Sequence, residues 1–563
     1  MHSAPSPVPD SRGTTWLILA ACVALSFAGL GRSLWAPDEP REAEISREMW
    51  LAPGVLPTLN GDVFIEKPPL YYWAVAGAFG LTGGPTAAVA RSVSGLAGAL
   101  TLLLVFAWGR RASSETTGLI AVVLLATSFQ FVLSTHWVLI DPLLMLFTTI
   151  AAWSGWALLG GAGWRGAVVF YASIAAALWT KGPIGPVLLG AGLLAHCTLE
   201  RRIPWRRFHL GVGLPAMVLA VAGLAGAIYA AGGWPVLREW AWVNQLLRLT
   251  HPQGTGHARP LPYYLWTVPF AALPWIVPLV GALRPRRRSP NEPATALRRY
   301  CGAMTIGMLV ILSVSATKRG IYLMPVLPLL FMVLAVDVEQ WWVARREDRT
   351  LGRGWWVQAA VLIPYVLLPP VAVMVYLHRS TPLALVCLAL ALAGSGAVFV
   401  VRRRGPAAGL EVLAACAVLG AVQLLVLVPP ALEPKKDLEP FVRWVDGQLP
   451  PDVPVYAIGG DETLRAMVNF VSGRRVVAVD RTKLVSQAGD RPDGEDFVVV
   501  QGRDSSIDPG TPYALVRRQT FGAGRVLALW EAQTAAPEAM LLPRSPARRA
   551  PSPDADSIGV HGR

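Results

Sequence analysis

Long apolar runs separated by short, arginine-rich loops recur along most of this chain. The runs are about 18 to 25 residues long, enough to cross a hydrocarbon core of about 30 Å as α-helices. An average soluble domain carries roughly 25% charged residues, whereas this chain of 563 residues has 15% charged and 53% hydrophobic residues. We therefore predict a polytopic α-helical membrane protein.

The apolar runs predict about 13 transmembrane helices within a membrane domain of residues 14–428. Each run lacks the long polar insertions that would interrupt a span. The predicted spans are 14–31, 86–108, 116–133, 138–160, 165–179, 183–199, 208–231, 263–283, 299–315, 321–343, 354–376, 381–401 and 408–428.

Arginine clusters fall in alternate loops between these spans, which sets the predicted orientation. Because basic loops stay in the cytoplasm, the N-terminus (residues 1–13) is predicted to be cytoplasmic. The long first loop (residues 32–85) and the chain after residue 428 then lie on the other side, which in a bacterium is the periplasm. The arginine clusters assigned to the cytoplasm include Arg110-Arg111, Arg201-Arg202, Arg206-Arg207, Arg286 to Arg288, Arg298-Arg299, Arg345-Arg346 and Arg402 to Arg404.

The C-terminal part of the chain has a soluble composition. Short β-prone runs at 454–458, 475–479, 497–500 and 526–530 are interrupted by a helix-prone stretch after Gly459-Gly460. This order predicts a small periplasmic α/β domain over residues 429–540. Residues 541–563 are rich in Pro, Arg, Ser and Asp and are predicted to be disordered.

Several function classes are disfavoured by composition. The net charge of +14 comes from arginines in loops between apolar runs, which argues against nucleic-acid binding. The five cysteines lie in or beside apolar runs without the spacing of a disulfide framework or a metal site. No glycine-rich phosphate loop is present, which disfavours an ATP-driven pump.

The first loop is more polar than a connector requires. Asp38 follows Pro37 at a predicted helix start, and residues 41–50 are helix-prone with apolar positions that suit a helix lying on the membrane surface. The alternative for Asp38 is a capping role at the helix N-terminus. Glu66 and Lys67 follow later in the same loop.

Other titratable residues fall on the same side of the predicted membrane. Asp141 lies near the outer end of the fourth span, where a carboxylate is costly and is a functional candidate unless it caps the helix. Basic residues in the outer loops could extend to the interface from helix ends, but their number predicts a binding site for an anion. These residues are Lys67, Lys181, Arg248, Lys318 and Arg319.

Carboxylates and cations facing one membrane surface suit sugar transfer from a lipid phosphate. The cations would hold a phosphate that leaves with negative charge, and a carboxylate would take the proton from an incoming hydroxyl. An extracytoplasmic site disfavours soluble nucleotide sugars and favours a sugar carried on a polyprenyl phosphate. The residues alone lead to this reaction class and no further.

The first-loop motif resembles that of a known family. Asp38-Glu-Pro-Arg-Glu-Ala-Glu-Ile-Ser-Arg-Glu-Met49, with Asn60-Gly61 and Glu66-Lys-Pro-Pro-Leu-Tyr-Tyr-Trp73, resembles the first periplasmic loop of the lipid A aminoarabinose transferases. These are grouped with the protein O-mannosyltransferases. The resemblance covers most of residues 30–340 and includes Asp141-Pro142, Thr180-Lys-Gly182, Asn244 to Arg248, Leu273-Pro-Trp275 and Lys318 to Pro325.

The resemblance implies a C-type glycosyltransferase fold with 13 helices and a periplasmic α/β tail. It also implies a donor sugar on undecaprenyl phosphate, with 4-amino-4-deoxy-L-arabinose and lipid A as the leading sugar and acceptor. By resemblance, Asp38 is the catalytic base, and Asp141 and Glu66 are further carboxylates near the acceptor or a metal. The implied donor-phosphate ligands are Arg41, Lys67, Lys181, Arg248 and Lys318, and the implied acceptor or cavity residues are Glu39, Tyr71 and Tyr322.

The cofactor requirement stays open. Relatives often have a Glu-His pair where this chain has Asn244-Gln245, and that histidine can approach a metal. We therefore predict no cofactor and keep a divalent metal as an alternative, with the metal ligands unknown.

The sequence leaves three hypotheses about function open. The first is a transferase in a bacterial inner membrane that uses a polyprenyl-phosphate sugar and a lipid or protein acceptor, including the O-mannosyltransferase type of transfer to protein hydroxyls. The second is a transporter or flippase of lipid-linked substrates, which predicts charges along a path through the bilayer. The third is a signalling or scaffolding protein with a periplasmic sensor tail.

Overall fold

The computed structural model is predominantly helical, with strands in the first loop and the C-terminal part. It describes residues 12–202, 204–247, 258–284, 292–345, 353–377, 381–401, 406–480, 497–503, 509, 513–521 and 525–532. The predicted disordered tail, residues 541–563, and the predicted phosphate ligand Arg248 lie outside these ranges.

A helix lies on each of the predicted spans. Span 116–133 is a pair of helices bent by 68°, and span 263–283 is interrupted between its two helices. The helices of the membrane region are Arg12–Leu25, Ala87–Ala112, Glu115–Ala126, Phe129–Thr135, Asp141–Leu159, Gly163–Lys181, Ile184–Glu200, Leu210–Arg238, Tyr263–Ala271, Ile276–Ala282, Glu292–Val314, Leu327–Arg345, Arg353–Leu377, Pro382–Val401 and Pro406–Val426, with a π-helix at Glu239–Leu247.

Eight helices in the described part of the chain are long and apolar enough to cross a membrane, or nine if the bent pair counts as one span. Two further apolar helices, Gly13–Leu25 and Ile184–Glu200, are shorter. The prediction of a polytopic α-helical membrane protein is therefore confirmed. The count of 13 crossings stays a prediction.

Glycines allow neighbouring membrane helices to approach closely. A Cβ atom added to Gly109 would lie 2.7 Å from the Cα atom of Gly118, on the next helix. Small residues commonly mark such contacts in membranes, where packing replaces the hydrophobic effect as the driving force between helices. This contact holds helix Ala87–Ala112 against helix Glu115–Ala126.

The first loop folds into a helix, a hairpin and a second helix. The loop helix spans Asp38–Leu51, which confirms the predicted helix start at Asp38. Strands β1 (Thr58–Leu59) and β2 (Asp62–Val63) pair in antiparallel fashion. The connecting Asn60-Gly61 has positive φ at both residues, the conformation that favours this dipeptide in tight hairpins. Helix Leu70–Thr82 completes the loop.

The described residues of the C-terminal part form a five-stranded mixed sheet in the order β4-β3-β5-β7-β6. Strand β3 pairs in parallel with β4 and β5, whereas β7 pairs in antiparallel fashion with β5 and β6. The four predicted strands are confirmed, and β6 was not predicted. The strands are β3 (Val455–Ile458), β4 (Val476–Ala478), β5 (Phe497–Arg503), β6 (Tyr513–Phe521) and β7 (Arg525–Ala532).

Helix Glu462–Ser472, called the tail helix below, packs on the loop helix. Ala43, Ile45 and Met49 of the loop helix share one hydrophobic cluster with Leu464 and Met467 of the tail helix. Burial of such side chains contributes about 1.5–3 kcal/mol each relative to full exposure. The loop helix is therefore covered by the tail, rather than lying on the membrane surface with a free polar face.

A single asparagine adds a polar connection between loop and tail. The side chain of Asn60 donates to the carbonyl of Val476 at 2.9 Å and accepts from the amide of Val476 at 2.7 Å. The side-chain amide thereby imitates a neighbouring strand at the edge residue of β4. The hairpin of the first loop is fixed to the sheet of the tail by these two bonds.

Candidate functional site

Asp38 lies at the centre of a group of charged side chains, called the Asp38 cluster, which also contains Arg41 and Arg319. One carboxylate oxygen accepts from Arg319 Nη2 at 2.5 Å, and the other accepts from Arg41 Nη2 at 3.3 Å. Asp38 is 7% exposed, so these contacts are largely shielded from water. Arg319 reaches the cluster from the turn that joins two membrane helices.

The surroundings keep Asp38 ionised. Burial raises its pKa, but the hydrogen bond from Arg319 and the charges of Arg319, Arg41 and Lys181 outweigh burial and lower the pKa below its ordinary value of 3.8. The capping alternative for Asp38 is wrong, because Pro37 is the N-cap residue and no side chain caps the loop helix. The carboxylate is available for interactions outside its own helix.

A second carboxylate–cation pair lies next to the Asp38 cluster. Lys181 Nζ donates to Asp141 Oδ1 at 2.6 Å and lies 4.7 Å from the ring centroid of Tyr322. The charge of Lys181 also lowers the pKa of Asp38. Asp141 begins its helix after the N-cap residue Ile140 without capping it. The structure thus brings together three predicted site residues, Asp141, Lys181 and Tyr322.

The segment with Glu66 and Lys67 borders the same region. Both residues are half-buried at a bend before helix Leu70–Thr82. The charge of Glu66 helps to raise the pKa of Arg41 against the opposing effect of burial. Asn244 Nδ2 donates to the carbonyl of Ile65 at 3.1 Å. Glu66 is therefore close enough to the Asp38 cluster to act on it electrostatically.

Gln245 lies against the turn after Lys181. A Cβ atom added to Gly182, whose φ is +77°, would lie 2.7 Å from Gln245 Oε1. The pair Asn244-Gln245 thus contacts both the bend before Lys67 and the turn after Lys181. The side-chain amides of Asn244 and Gln245 therefore hold the bend before Lys67 and the turn after Lys181 in place.

Lys318 has a different environment from its neighbour Arg319. Its ammonium group is buried and donates to the carbonyls of Ser315 at 2.6 Å and Arg259 at 3.0 Å. These bonds fix the backbone of the turn. Of the two residues, Arg319 is the one that contacts Asp38. Arg319 was predicted among the basic residues of the outer loops but not among the implied donor-phosphate ligands.

Glu39 is part of a sealed ion network, called the Glu39 anchor, with Arg32 and Arg91. Arg32 Nη1 donates to Glu39 at 2.6 Å, and Arg91 Nε donates to it at 2.7 Å. The amides of Trp35 and Val138 donate to the same carboxylate at 2.9 and 3.1 Å. With the Glu39 side chain 0% exposed, the prediction of an acceptor or cavity role is wrong. Every described contact of this carboxylate is internal to the fold.

The prediction of a cavity role for Tyr71 is also wrong. Tyr71 is 0% exposed, and its hydroxyl pairs with Ser94 Oγ at 3.3 Å. Its ring belongs to the cluster that joins the first loop to the membrane helices. Tyr71 therefore packs the loop rather than facing a ligand. Tyr322, beside Lys181, stays a candidate.

Arg41 connects the Asp38 cluster to the tail. Its guanidinium group donates to Glu42 at 2.8 Å and to Glu462 of the tail helix at 3.0 Å, in addition to Asp38. Tyr72 donates to the other oxygen of Glu42 at 2.8 Å. Arg41 is thus surrounded by carboxylates, and its predicted role as a phosphate ligand stays a prediction.

The described part of the chain has no group of three or more His, Cys, Asp or Glu side chains arranged to hold a metal ion. The ring nitrogens of His136 contact the backbone carbonyls of Val132 and Leu25, both at 2.6 Å. The residues around Asp38 combine a proton acceptor with cations that can bind an anion.

Comparisons with known proteins agree with this chemistry. Residues 66–225 match the family described as dolichyl-phosphate-mannose-protein mannosyltransferase. The chain is 29% identical over 335 residues to the undecaprenyl phosphate-α-4-amino-4-deoxy-L-arabinose arabinosyl transferase of Edwardsiella ictaluri, covering 58% of this chain and 59% of that protein. It is 30% identical over 353 residues to the Serratia proteamaculans protein of the same name, covering 60% and 61%. The matched region thus spans about three fifths of these relatives.

Solved structures establish the fold. ArnT from Cupriavidus metallidurans bound to undecaprenyl phosphate has a TM-score of 0.74 and 20% identity, covering 92% of this chain and 98% of that one. The apo structure of the same protein has a TM-score of 0.69 and 21% identity, with the same coverage. The predicted resemblance to the aminoarabinose transferases is confirmed, and this chain shares the fold of the ArnT structures.

Proposed function

We propose that this chain is an integral-membrane glycosyltransferase that moves a sugar from undecaprenyl phosphate to an acceptor in the periplasm. The observation that carries the proposal is the buried, ionised Asp38 paired with Arg319 and close to Lys181. Support comes from the arabinosyl transferases that the chain resembles and from the ArnT structure bound to undecaprenyl phosphate.

The charge change of the reaction explains the surplus of cations. A sugar linked to a polyprenyl phosphate is a phosphodiester with one negative charge, and the departing polyprenyl phosphate is a monoester that gains a second. Fixed cations that meet the developing charge lower the barrier because they need no reorganisation. Arg319 and Lys181 are the cations proposed for this role.

Donor binding would also prepare Asp38 as a base. A phosphate that takes the guanidinium fork of Arg319 removes the strongest hydrogen bond to Asp38 and raises the pKa of its carboxyl group. Asp38 then accepts the proton of the acceptor hydroxyl as the hydroxyl oxygen bonds to the anomeric carbon. The bond between that carbon and the phosphate oxygen breaks, and the electron pair leaves with the phosphate. A single displacement of this kind inverts the anomeric centre.

The remaining predicted site residues fit around this reaction. Asp141 would hold Lys181 in position through the 2.6 Å ion pair. Lys67 and Arg248 are proposed as further phosphate ligands, and Glu66 as a second carboxylate near the acceptor. Lys318 would support the turn that presents Arg319 through its bonds to backbone carbonyls.

The proposed sugar is 4-amino-4-deoxy-L-arabinose, and the proposed acceptor is lipid A. The proposed setting is a bacterial inner membrane crossed by 13 helices, with residues 1–13 in the cytoplasm and the tail in the periplasm. In this orientation, the first loop and the tail helix cover the Asp38 cluster from the periplasmic side. Membrane lipids surround the helices, and the tail would limit access to the acceptor.

Transfer to protein hydroxyls is a second candidate, because residues 66–225 match the mannosyltransferase family. The longer matches to arabinosyl transferases favour a lipid acceptor. The transporter alternative is disfavoured because the ion cluster described here occupies one end of the helices rather than a path between both ends.

The proposal is tested by mass spectrometry of lipid A from the native host, a deletion strain, and the deletion strain expressing wild-type protein or Asp38→Asn. We expect the aminoarabinose mass in lipid A from the native host and from the wild-type rescue. It should be missing from the deletion strain and from the Asp38→Asn rescue. Asp62→Asn is the matched control, since this first-loop carboxylate has a side chain 72% exposed. Identical lipid A in every strain would refute lipid A as the acceptor. Full rescue by Asp38→Asn would refute the role of Asp38 as the base.

A further inference from the structure

A charged cavity lies at the opposite end of the helical bundle from Asp38. It has a volume of about 470 Å³, within the range of small-molecule sites. Helix Asp141–Leu159 connects the two ends, because Asp141 pairs with Lys181 while Leu159 lines the cavity. At a rise of 1.5 Å per residue, they are separated by roughly 27 Å along the helix. The cavity is thus distinct from the proposed transfer site.

Three arginines line this cavity: Arg202, Arg207 and Arg299. Arg299 pairs with Glu200 at 2.9 Å, and Arg207 donates to the carbonyl of Leu159. Arg202 is exposed just beyond the end of the preceding helix. Three cations against one carboxylate give the cavity a net positive charge. Charge complementarity therefore favours an anionic ligand with hydrogen-bond acceptors.

The cavity wall also contains apolar surface. Trp156 and Ala157 line it beside the arginines. A ligand with a charged group and an apolar body matches this combination better than a small inorganic ion does.

The cavity lies at the level where an interface between membrane and water is expected. Its lining comes from the ends of apolar helices, including Asp141–Leu159 and Ile184–Glu200. Trp164 and Trp205, on neighbouring segments, are 65% and 61% exposed. Exposed tryptophans at helix ends are typical of the headgroup region. Basic pockets between membrane helices on the cytoplasmic side bind the headgroups of anionic lipids.

We propose that this cavity binds the phosphate headgroup of an anionic phospholipid, with Arg202 and Arg299 as its principal cations. The headgroup phosphate bonds to the two guanidinium groups, and the glycerol region contacts Trp156. Glu200 gives up part of its pairing with Arg299 to the phosphate. This site is independent of sugar transfer, and its occupation would fix the basic ends of three helices relative to one another.

The test uses the full chain purified in detergent and native mass spectrometry with added phosphatidylglycerol, phosphatidylcholine or inorganic phosphate. We expect the wild-type protein to retain phosphatidylglycerol in preference to phosphatidylcholine. The double variant Arg202→Gln/Arg299→Gln should bind phosphatidylglycerol more weakly, by roughly tenfold for each arginine replaced. The side chain of Arg299 is 48% exposed, so folding should tolerate its replacement.

The matched control is Arg110→Gln/Arg165→Gln, which removes the same charge near the same end of the bundle but outside the cavity lining. Retention of wild-type binding in this control supports the proposal. Equal weakening by both double variants would overturn it, because the lipid would then follow net charge alone. Equal retention of the two lipids would also overturn it. Competition by inorganic phosphate at equal concentration would show that the site takes free phosphate instead.

Discussion

Two adjacent carboxylates at the start of the loop helix have opposite environments. Glu39 accepts hydrogen bonds from Arg32, Arg91 and two backbone amides, and its side chain is 0% exposed. Asp38 bonds to Arg319, whose side chain is 28% exposed and comes from a turn. Neighbouring positions at one helix start can therefore hold an anchoring carboxylate and a reactive one.

The difference follows from whether an incoming anion can replace the carboxylate as the partner of its arginine. The partners of Glu39 are fixed inside the fold, since the Arg91 side chain is also 0% exposed and donates to the carbonyls of Leu30 and Ser33 as well. Arg319 is partly open to solvent, so an incoming anion can replace Asp38 as its partner. We therefore assign stability to the Glu39 anchor and reactivity to the Asp38 cluster.

The largest expected effect on stability comes from breaking the Glu39 anchor. Arg91→Ala leaves a buried carboxylate without its main partner, which typically costs about 3–5 kcal/mol. Thermal unfolding in detergent should show a large fall in Tm. An unchanged Tm would contradict the anchoring role of this network.

Acid should reduce the contribution of the same anchor. Burial raises the pKa of Glu39, but the charges of Arg91 and Arg32 lower it below its ordinary value of 4.5. The pKa of Glu39 is lower in the folded state than in the unfolded state. The ionised carboxylate therefore stabilises the fold fully above pH 4.5, and this stabilisation is lost as the pH falls through the folded-state pKa. The Tm difference between wild type and Glu39→Gln should shrink as pH falls below 4.5 and stay constant near neutrality.

Arg319→Ala should have a smaller effect, directed at activity. Loss of one charged hydrogen bond to the leaving phosphate corresponds to about 1.5–3 kcal/mol, or roughly ten- to hundredfold in transfer rate. The pKa of Asp38 should rise without Arg319, so the loss of activity at acid pH should begin at a higher pH than in wild type. Arg443→Ala is the control, because this exposed residue pairs with Glu439 in the tail, and it should leave the loss of activity at acid pH unchanged. Coincident pH profiles for wild type and Arg319→Ala would argue against the pairing.

The smallest effect is expected where the cluster meets the tail. Glu462→Gln removes a partly exposed partner of Arg41, since the Glu462 side chain is 48% exposed. Such pairs contribute about 0–1 kcal/mol. Transfer rates and Tm should both stay near wild type. A large loss of activity here would show that the tail takes part in the reaction.

The sequence predicted the elements that depend on local pattern. Apolar runs located the membrane helices, and β-branched runs located four of the five strands in the described part of the tail. Strand β6 was missed because Arg517-Arg518 interrupts its apolar pattern at the edge of the sheet, where exposed polar residues are tolerated.

The individual site contacts could not be predicted in the same way. Which of Lys318 and Arg319 faces Asp38 depends on the path of one turn, and no periodic pattern encodes it. The signal for the Glu39 anchor was present, since Arg91 lies inside an apolar helix where an unpaired charge is costly. Its partner was hidden, because the loop residue that meets Arg91 is 52 positions away in the chain.

The central claim is that Asp38 performs chemistry while Glu39 holds the fold, and a paired comparison of Asp38→Asn with Glu39→Gln tests it most directly. Transfer of aminoarabinose from undecaprenyl phosphate to lipid A and Tm would be measured on both purified variants. Asp38→Asn should lose about 10²–10⁴-fold in transfer rate, as expected for a general base, with a Tm close to wild type. Glu39→Gln should lower Tm, and the folded fraction should retain transfer. Substantial transfer by Asp38→Asn, or loss of transfer without loss of Tm in Glu39→Gln, would contradict the claim.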